Sequence, residues 1–401
     1  MSRSKVNLAE GVSYQPLKPT ISLFERLMGE SYGEKIRFNV MTGKPEWYDE
    51  TEDVWEEWSD ANDASMASYF QSQYGIYNQN MLTQAFTIYM AHHRANPLTQ
   101  ALKALKWDGQ HRIENFLHEI MRAEDTPVNK EISRMIFTGG VRRAFCPGCK
   151  WDYMVVLVGG QGQGKTTIVQ WLAMGYHRAI NTFNGKEAME GLRGVWIGEV
   201  EELSAMRKAK DIETVKAFLS RQSDSYREPY TRNVETFPRR CILIGTTNSD
   251  KFLSDQTGNR RFFPVRVHSA GRELFENRTA IQEYICQCWA EAVSLFKAGE
   301  LPEDYDHSID RELETVRAEA EEDDWKLEAI RGYLDDLPAG TAVCVPMLWI
   351  DACRLDREKL TVSEASRIRE YMDKQPDWQR GGGRRRFGLF GQVKSYWVSA
   401  R

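Results

Sequence analysis

The chain has 401 residues, of which 41% are hydrophobic and 28% are charged. These proportions are typical of globular proteins and exclude a collagen-like, fully disordered or membrane-embedded chain. The 53 basic and 58 acidic residues give a formal net charge of −5, which excludes a wholly basic nucleic-acid coat but allows a local basic surface.

The N-terminal part of the chain mixes two kinds of pattern. Ile36–Val40 alternates in hydrophobicity, which predicts a strand, whereas Ser65–Tyr74 and Leu82–His92 have the periodicity of helices. At about 150 residues per domain the length predicts two or three domains. We therefore predict a mixed α+β region over residues 1–130.

Residues 131–300 alternate between helical and strand-like segments, which is typical of an α/β core. Tyr153–Val158, Val195–Val200 and Cys241–Gly245 are short, apolar segments that predict buried strands. A long helix is predicted over Glu273–Lys297.

The C-terminal part begins with an acidic and polar segment, residues 301–324, which predicts a linker or an exposed helix. Residues 325–401 then predict a separate small domain. Thr361–Glu364 has the residues of a capping box and opens a helix, and a strand, a glycine turn and the alternating strand Gln392–Val398 follow. This order is typical of a winged helix.

Cysteines and apolar runs predict the compartment. Seven cysteines are an odd number in a large chain, which favours reduced thiols and a cytoplasmic location over a disulfide framework. Cys146 and Cys149 resemble half of a zinc ribbon, but the sequence has no second pair of Cys or His residues at metal-ligand spacing. We therefore predict unmetallated thiols. The first twenty residues lack the apolar segment of a secretion signal, and no apolar run could span a membrane, so no membrane partner is expected.

The most specific motif is the segment GGQGQGKT at residues 159–166, which matches the phosphate-loop pattern GxxxxGK[ST]. It follows a predicted buried strand and precedes a predicted helix, as that loop requires. We expect Lys165 to reach the β- and γ-phosphates of ATP and the Thr166 hydroxyl to ligate Mg²⁺. The predicted nucleotide-binding residues are Gly159, Gly160, Gly162, Gly164, Lys165, Thr166 and Thr167.

A nucleotide site that hydrolyses ATP also needs an acidic residue at the end of a neighbouring strand. Three glutamates cluster at the carboxyl end of the second predicted core strand. The pattern favours Glu199 as the base and metal-water ligand, with Glu202 second and Glu201 third. Asn248, after the third strand, could hydrogen-bond the attacking water or the γ-phosphate, although asparagine also caps turns.

Two arginines, Arg260 and Arg261, lie between a glycine turn and an aromatic strand. They could be ordinary surface charge. In an oligomeric ATPase, an arginine at this place could instead reach the γ-phosphate in the neighbouring subunit, and we favour Arg260 for that role.

The motifs that resemble a known family follow one another between Leu98 and Val267. They are Leu105–Gly109, Pro147–Asp152, the phosphate loop, Trp196–Leu203, Lys216–Ser220, Asp224–Arg232, Phe237–Arg240, Gly245–Asn248 and Thr257–Phe262. In this order they resemble the virulence-associated E (VapE) family of phage and genomic-island replication proteins, P-loop ATPases related to superfamily 3 and D5-like helicases.

The resemblance implies an AAA+-type core that forms homo-oligomeric rings, expected to be hexamers, and that moves on single-stranded or forked DNA using ATP in a bacterial host cell. Many relatives carry a primase domain upstream, but residues before Leu98 show no paired-Asp motif, so a separate primase or other phage replication proteins are the expected partners. The strand end also lacks the usual Asp-Glu pair, which leaves the choice of glutamate open.

Two basic stretches with interleaved aromatic residues predict DNA contacts. Similar helicases insert a hairpin into the ring channel at the position of the first stretch, although charge at a subunit interface is an alternative. The second stretch lies in a C-terminal segment with six basic and no acidic residues after Trp378, where a solvated hairpin tip is the alternative. The predicted DNA-binding residues are Arg227, Tyr230, Arg232, Arg239, Arg240, Arg384, Arg385, Arg386 and Lys394.

Two functions follow from these patterns. The first is an ATP-dependent DNA helicase or translocase of phage or genomic-island replication. The alternative is a nucleotide-switched DNA-binding replication initiator or interference factor without unwinding activity. A weaker third interpretation is an ATPase unconnected with nucleic acid.

Overall fold

A computed structural model describes residues 17–201, 209–227, 233–253, 259–269, 271–320 and 325–400. The chain divides into two compact units, Met1–Ala320 and Glu321–Arg401.

The N-terminal part of the first unit is a mixture of helices and a four-stranded sheet, whose strands run in the order β3-β2-β1-β4. Its elements are α1 (Ile21–Ser31), β1 (Ile36–Asn39), β2 (Lys44–Asp49), β3 (Val54–Glu57), α2 (Asp60–Tyr74), α3 (Gln79–His92), β4 (Arg94–Ala95), α4 (Pro97–Ala104) and α5 (Phe116–Met121). Helix α2 begins five residues before the predicted start because Ser59 and Asn62 form a capping box. Phe24, Phe70 and Tyr89 are among the side chains that form a separate core here.

The rest of the first unit is an α/β core. Its elements are α6 (Pro127–Phe145), β5 (Met154–Val158), α7 (Lys165–Leu172), β6 (His177–Ala179), α8 (Gly185–Glu190), β7 (Ile197–Val200), α9 (Ala209–Leu219), β8 (Ser223–Tyr226), β9 (Glu235–Pro238), β10 (Ile242–Thr247), β11 (Phe262–Arg266), α10 (Gly271–Glu276), α11 (Arg278–Ala298) and α12 (Asp310–Glu319). A parallel sheet in the order β11-β5-β10-β7-β6 forms its centre. Strands β8 and β9 form a separate antiparallel hairpin.

Both faces of the parallel sheet are covered, which explains why β5 is apolar at every position. Val155 and Leu157 face one hydrophobic cluster, whereas Met154, Val156 and Val158 face another. Apolar side chains therefore pack on both faces of the sheet, and polar groups are expected at the ends of its strands.

The structure corrects one sequence prediction about helices and decides between the alternatives of another. The predicted helix over residues 273–297 is two helices, α10 and α11, separated at Asn277, whose side-chain amide donates to the Glu273 carbonyl. The acidic segment 301–324 contains α12, and Arg317 in it donates to the carbonyls of Phe262 (2.9 Å) and Arg260 (2.7 Å). Residues 310–319 are thus part of the first unit rather than a free linker.

The second unit has its own core around Leu348, Ile368 and Trp397. Its elements are α13 (Trp325–Asp335), β12 (Ala342–Cys344), α14 (Val345–Met347), a π-helical turn (Leu348–Ala352), α15 (Val362–Asp373), β13 (Trp378–Arg380), β14 (Arg385–Phe387), β15 (Gly391–Val393) and β16 (Tyr396–Ser399). The strands form a three-stranded antiparallel sheet, β12-β16-β13, and a β14-β15 hairpin. As the capping motif predicts, the Thr361 hydroxyl accepts from the Glu364 N–H (3.2 Å) and begins α15.

Candidate functional site

The segment between β5 and α7 is a tight loop that only glycine can form at two positions. Gly162 and Gly164 have φ values of +80° and +72°, and Gly164 caps the N-terminus of α7. A Cβ atom on Gly164 would lie 2.3 Å from a methyl carbon of Leu274, and the Gly271 N–H donates to the Gly162 carbonyl (3.0 Å). Helix α10 therefore holds the loop from one side.

The ammonium group of Lys165 lies inside this loop, and the side chain is only 8% exposed. It donates to the carbonyls of Gly159 (2.6 Å) and Gly160 (2.8 Å) and to Asn248 Oδ1 (3.0 Å). Burial lowers the pKa of Lys165, and the nearby Glu199 carboxylate opposes that shift. The two predicted residues Lys165 and Asn248 are thus in direct contact.

The Glu199 carboxylate is completely buried and is held by three side chains. Oε1 accepts from the hydroxyls of Thr166 (2.7 Å) and Thr246 (2.9 Å), and Oε2 lies 3.0 Å from His177 Nε2. An ionised carboxylate only accepts, so Nε2 of His177 is assigned as the donor. A buried carboxylate that is fully hydrogen-bonded in this way is fixed in one orientation.

The order of strands explains this convergence. Strand β10 lies between β5 and β7, all three are parallel, and Thr247 is paired with Val158 while Gly245 is paired with Val200. The carboxyl ends of the three strands therefore meet at one edge, where open α/β sheets place their ligands. A cavity of about 480 Å³ opens there, lined by residues 161–167, Glu201 and residues 246–248.

The structure distinguishes among the three candidate glutamates. Glu199 contacts the Thr166 hydroxyl, whereas Glu201 is exposed at the cavity wall. Glu202 lies outside the described residues. Two residues that contact the Glu199 carboxylate were not predicted from the sequence. Thr246 could have been suggested by the Thr-Thr-Asn run at the end of β10, whereas no sequence pattern indicated His177.

The residues at this edge fit a nucleotide triphosphate and a magnesium ion. The N–H groups of Lys165, Thr166 and Thr167 at the start of α7 have no acceptor within the helix, and they follow directly on the glycine loop that holds the Lys165 ammonium. Thr166 and Glu199 place a hydroxyl and a carboxylate together, and Mg²⁺ prefers such oxygen ligands supplemented by phosphate and water. Among the residues that the structure describes, no cluster of three or more His, Cys, Asp and Glu side chains forms an all-protein metal cage.

The family model for the virulence-associated protein E-like domain matches residues 102–324, more than half of the chain. The chain belongs to this family. The match includes the phosphate loop, Glu199 and Asn248, so the VapE-like domain contains the whole strand-end site.

Solved structures are similar to this VapE-like chain in fold. An apo structure of the NrS-1 C terminal region superposes with a TM-score of 0.52 at 12% identity, covering 95% of this chain and 98% of that one. The A form of the same region gives a TM-score of 0.51 at 10% identity, with 94% and 98% covered. At these identities the likeness concerns the fold alone. No curated protein matches the sequence.

The two candidate trans arginines of the VapE-like chain have different environments. Arg261 is held within its own subunit, because Nε lies 3.1 Å from Ser220 Oγ and 3.6 Å from Asp152. Arg260 has an exposed side chain at the start of β11. Of the two, Arg260 is therefore the exposed arginine and Arg261 the one with partners in its own chain.

Of the first set of predicted DNA-binding residues, those that the structure describes lie next to the β8-β9 hairpin. Arg227 is exposed at the end of β8, and Arg240 is half-buried just after β9. Tyr230 and Arg232 lie outside the described residues. Arg239 corrects the prediction: it is 5% exposed, and its guanidinium makes two bonds to the Asp224 carboxylate (2.7 and 2.9 Å). Arg239 therefore fixes the base of the hairpin rather than offering a charge to DNA.

Replacing Arg239 by Ala is expected to lower the free energy of unfolding of the first unit by about 3–5 kcal/mol, because it leaves the Asp224 carboxylate buried and unpaired. The matched control is Arg227→Ala on the same hairpin, which is exposed and should change stability by less than about 0.5 kcal/mol. Urea denaturation followed by hydrogen exchange in the hairpin measures both. Equal stability of the two variants would remove the structural role of Arg239.

The second set lies in the second unit. Arg384, Arg385, Arg386 and Lys394 are all exposed on or beside the β14-β15 hairpin. Arg385 lies over the rings of Phe387 (5.8 Å) and Tyr396 (5.7 Å), which directs its guanidinium along the hairpin. The residues are thus placed as a basic surface of this unit.

Two further sequence expectations concern the cysteines and the membrane. Cys146 is exposed and Cys149 is half-buried, both are free thiols, and burial raises the pKa of Cys149. Within the ranges described, no helix has the length and apolar character needed to cross a bilayer.

Proposed function

We propose that this chain is an ATP-dependent DNA helicase or translocase of phage or genomic-island replication, with an AAA+-type P-loop core that acts as a ring oligomer. One observation carries the proposal: at a single sheet edge Lys165, Thr166 and Asn248 line a cavity large enough for a nucleotide, and Thr166 bonds the buried Glu199 carboxylate behind it. ATP and Mg²⁺ are the proposed cofactors. Family membership supports the same interpretation.

The proposed mechanism assigns each side chain a separate task. Bound magnesium would neutralise charge on the β- and γ-phosphates. Lys165, held in the loop by two carbonyls, stabilises negative charge at the γ-phosphate, and Glu199 accepts a proton from the attacking water. Asn248 presents its amide toward the same phosphate, and its contact with Lys165 couples the end of β10 to the loop.

His177 and Thr246 are positioning residues in this mechanism. Both hydrogen-bond the Glu199 carboxylate; Thr246 also lines the cavity in which the nucleotide would lie, whereas His177 does not. They limit the rotation of the carboxylate and so keep its proton-accepting oxygen in place.

The ring proposal rests on an exposed arginine. A trans arginine stabilises transition-state charge in oligomeric ATPases, and Arg260 is exposed and available for that contact. We expect Lys165→Ala and Arg260→Ala subunits, each inactive alone, to recover part of the ATPase activity when mixed, because shared interfaces then contain one intact site. No recovery across a range of mixing ratios would contradict a finger acting in trans.

DNA contact is proposed at two places. Arg227 and Arg240 lie next to the β8-β9 hairpin, and the C-terminal hairpin carries Arg384–Arg386 beside Lys394. The helix α15 followed by β13 and this hairpin supports a winged-helix-like interpretation of the second unit. A separate primase or other phage replication proteins would be partners.

The test of the proposed function combines ATP turnover with strand displacement. We expect turnover to rise on addition of single-stranded DNA, and a labelled strand to be displaced from a forked duplex only with hydrolysable ATP. Stimulated turnover without displacement on forks of either polarity would favour the alternative, a nucleotide-switched initiator or interference factor. Turnover that does not respond to DNA, together with no binding of DNA by the wild-type chain, would contradict both.

A further inference from the structure

A second cavity, of about 340 Å³, lies between the N-terminal sheet and the β8-β9 hairpin, away from the phosphate loop. We name it the arginine groove, and define it by Phe38 and Arg94 on one wall and Arg193, Phe237 and Arg240 on the other. All five residues belong to the first unit. Of these five residues, only Arg240 was among the DNA-binding residues predicted from the sequence.

The walls of the arginine groove are fixed relative to each other. The Gly194 N–H donates to the Met41 carbonyl (2.8 Å), which ties the N-terminal sheet to the segment before β7. The Arg193 guanidinium fills the space beside Gly43, where a Cβ atom would lie 2.0 Å from Nη2. Gly43 has a φ of +68°, a backbone conformation that glycine adopts without strain.

The charge in the arginine groove is unbalanced. Two carboxylates line the groove: Asp224 forms an ion pair with Arg239, and Glu235 is exposed on β9. Neither Arg94 nor Arg240 has a carboxylate within 4.0 Å in the described portion of the chain. Arg240 is half-buried, and its pKa is lowered by burial and by the charge of Arg94. Two cations therefore face one cavity without a protein counter-ion.

Aromatic rings lie beside these cations. Arg94 lies over the Phe38 ring (5.2 Å), and Arg193 lies over the Phe237 ring (4.8 Å). The Phe237 ring also packs on Tyr226 (4.8 Å between centroids), which fixes its plane. Arginines that pair with phosphates, next to rings on which bases stack, are the combination that single-strand binding sites use.

We propose that the arginine groove binds the backbone of single-stranded DNA, with Arg94 and Arg240 on its phosphates. This inference rests on the proposed function and extends it, because it makes the N-terminal sheet part of the DNA path. A cavity of about 340 Å³ is at the small end of ligand sites and admits a nucleotide unit of one strand rather than a duplex. The β8-β9 hairpin, which carries Phe237, forms one wall of that path.

The test is the salt dependence of binding of a fluorescein-labelled dT20 oligonucleotide, measured by anisotropy with the full chain. The variants are Arg94→Ala, Arg240→Gln and the double substitution. Each phosphate contact on a single strand contributes about 0.7 to the slope of log K against log salt, so the double variant should lose about 1.4 in slope and about tenfold in affinity. Arg94→Lys keeps the charge and should retain most of the slope.

The matched control is Arg26→Ala in α1, an exposed arginine of the N-terminal region that lies outside the groove and pairs only weakly with Glu30 (3.8 Å). It should leave affinity and slope unchanged. Wild-type slope and affinity in a folded double variant would overturn the arginine-groove proposal, and an equal loss in Arg26→Ala would do so as well. Binding of polyglutamate with no change in dT20 binding would indicate an acidic peptide site instead.

These outcomes are distinguishable from failure of the proposed function. If the wild-type chain binds no dT20 at low salt, DNA binding itself fails. If the wild type binds dT20 and the double variant binds it equally, only the groove fails, and ATP hydrolysis is judged by its own assay.

Discussion

Replacing Lys165 by Ala is expected to abolish ATP hydrolysis while leaving the fold intact. The ammonium group lies within the phosphate loop and contacts Asn248, so its charge acts where negative charge develops on the transferred phosphate. Removal of one such preorganised group lowers kcat by about 10²–10³ or more. Phosphate release from ATP under saturating nucleotide measures the effect.

The fold of the Lys165→Ala variant is expected to persist because the lysine is not a stabilising core group. Burial lowers its pKa below the ordinary value of 10.5, so its charged form opposes folding at neutral pH, and that opposition disappears only as the pH rises above 10.5. The thermal midpoint near neutral pH should therefore equal or exceed that of the wild type. The matched control is Lys186→Ala, a lysine in α8 that pairs with Glu190 (3.1 Å) and should retain full turnover. Normal turnover in Lys165→Ala would exclude this lysine from the mechanism.

Replacing Glu199 by Gln is the second change with a large expected effect. Glutamine keeps the shape of the side chain and can still bond the hydroxyls of Thr166 and Thr246, but it cannot accept a proton from water. Hydrolysis should fall by about 10²–10⁴. ATP binding should be retained, because the loop and Lys165 are unchanged.

Glu201→Gln is the matched control for Glu199→Gln. Glu201 lines the proposed nucleotide cavity, is exposed and belongs to the same run of glutamates as Glu199. The Glu201→Gln substitution should therefore reduce turnover by less than about tenfold. His177→Ala should give an intermediate loss in kcat with little change in KM, since it only positions the Glu199 carboxylate. A larger loss in Glu201→Gln than in Glu199→Gln would reverse the assignment of the base.

The strand-end site was largely accessible to sequence reasoning because its residues lie in local patterns. The phosphate loop has a fixed spacing, and the apolar β5 and β10 mark where each strand ends. Since parallel strands bring their carboxyl ends together, Lys165, Glu199 and Asn248 could be placed near one another before any coordinates existed.

Other features depend on contacts between distant segments and leave no local pattern. His177 reaches Glu199 only because β6 pairs with β7. From the sequence alone Arg239 was predicted to be available to DNA, because its buried partner Asp224 lies fifteen residues away and no local pattern links the two. The arginine groove requires Arg94 and Arg240, which lie far apart in sequence, to come to one cavity.

The measurement that tests the central claim most directly is a calorimetric titration of the purified chain with ATP in the presence of Mg²⁺. The account predicts saturable binding with a dissociation constant between about 1 μM and 1 mM, the range in which KM values of enzymes fall. A folded sample that takes up no ATP at millimolar nucleotide and metal would contradict it.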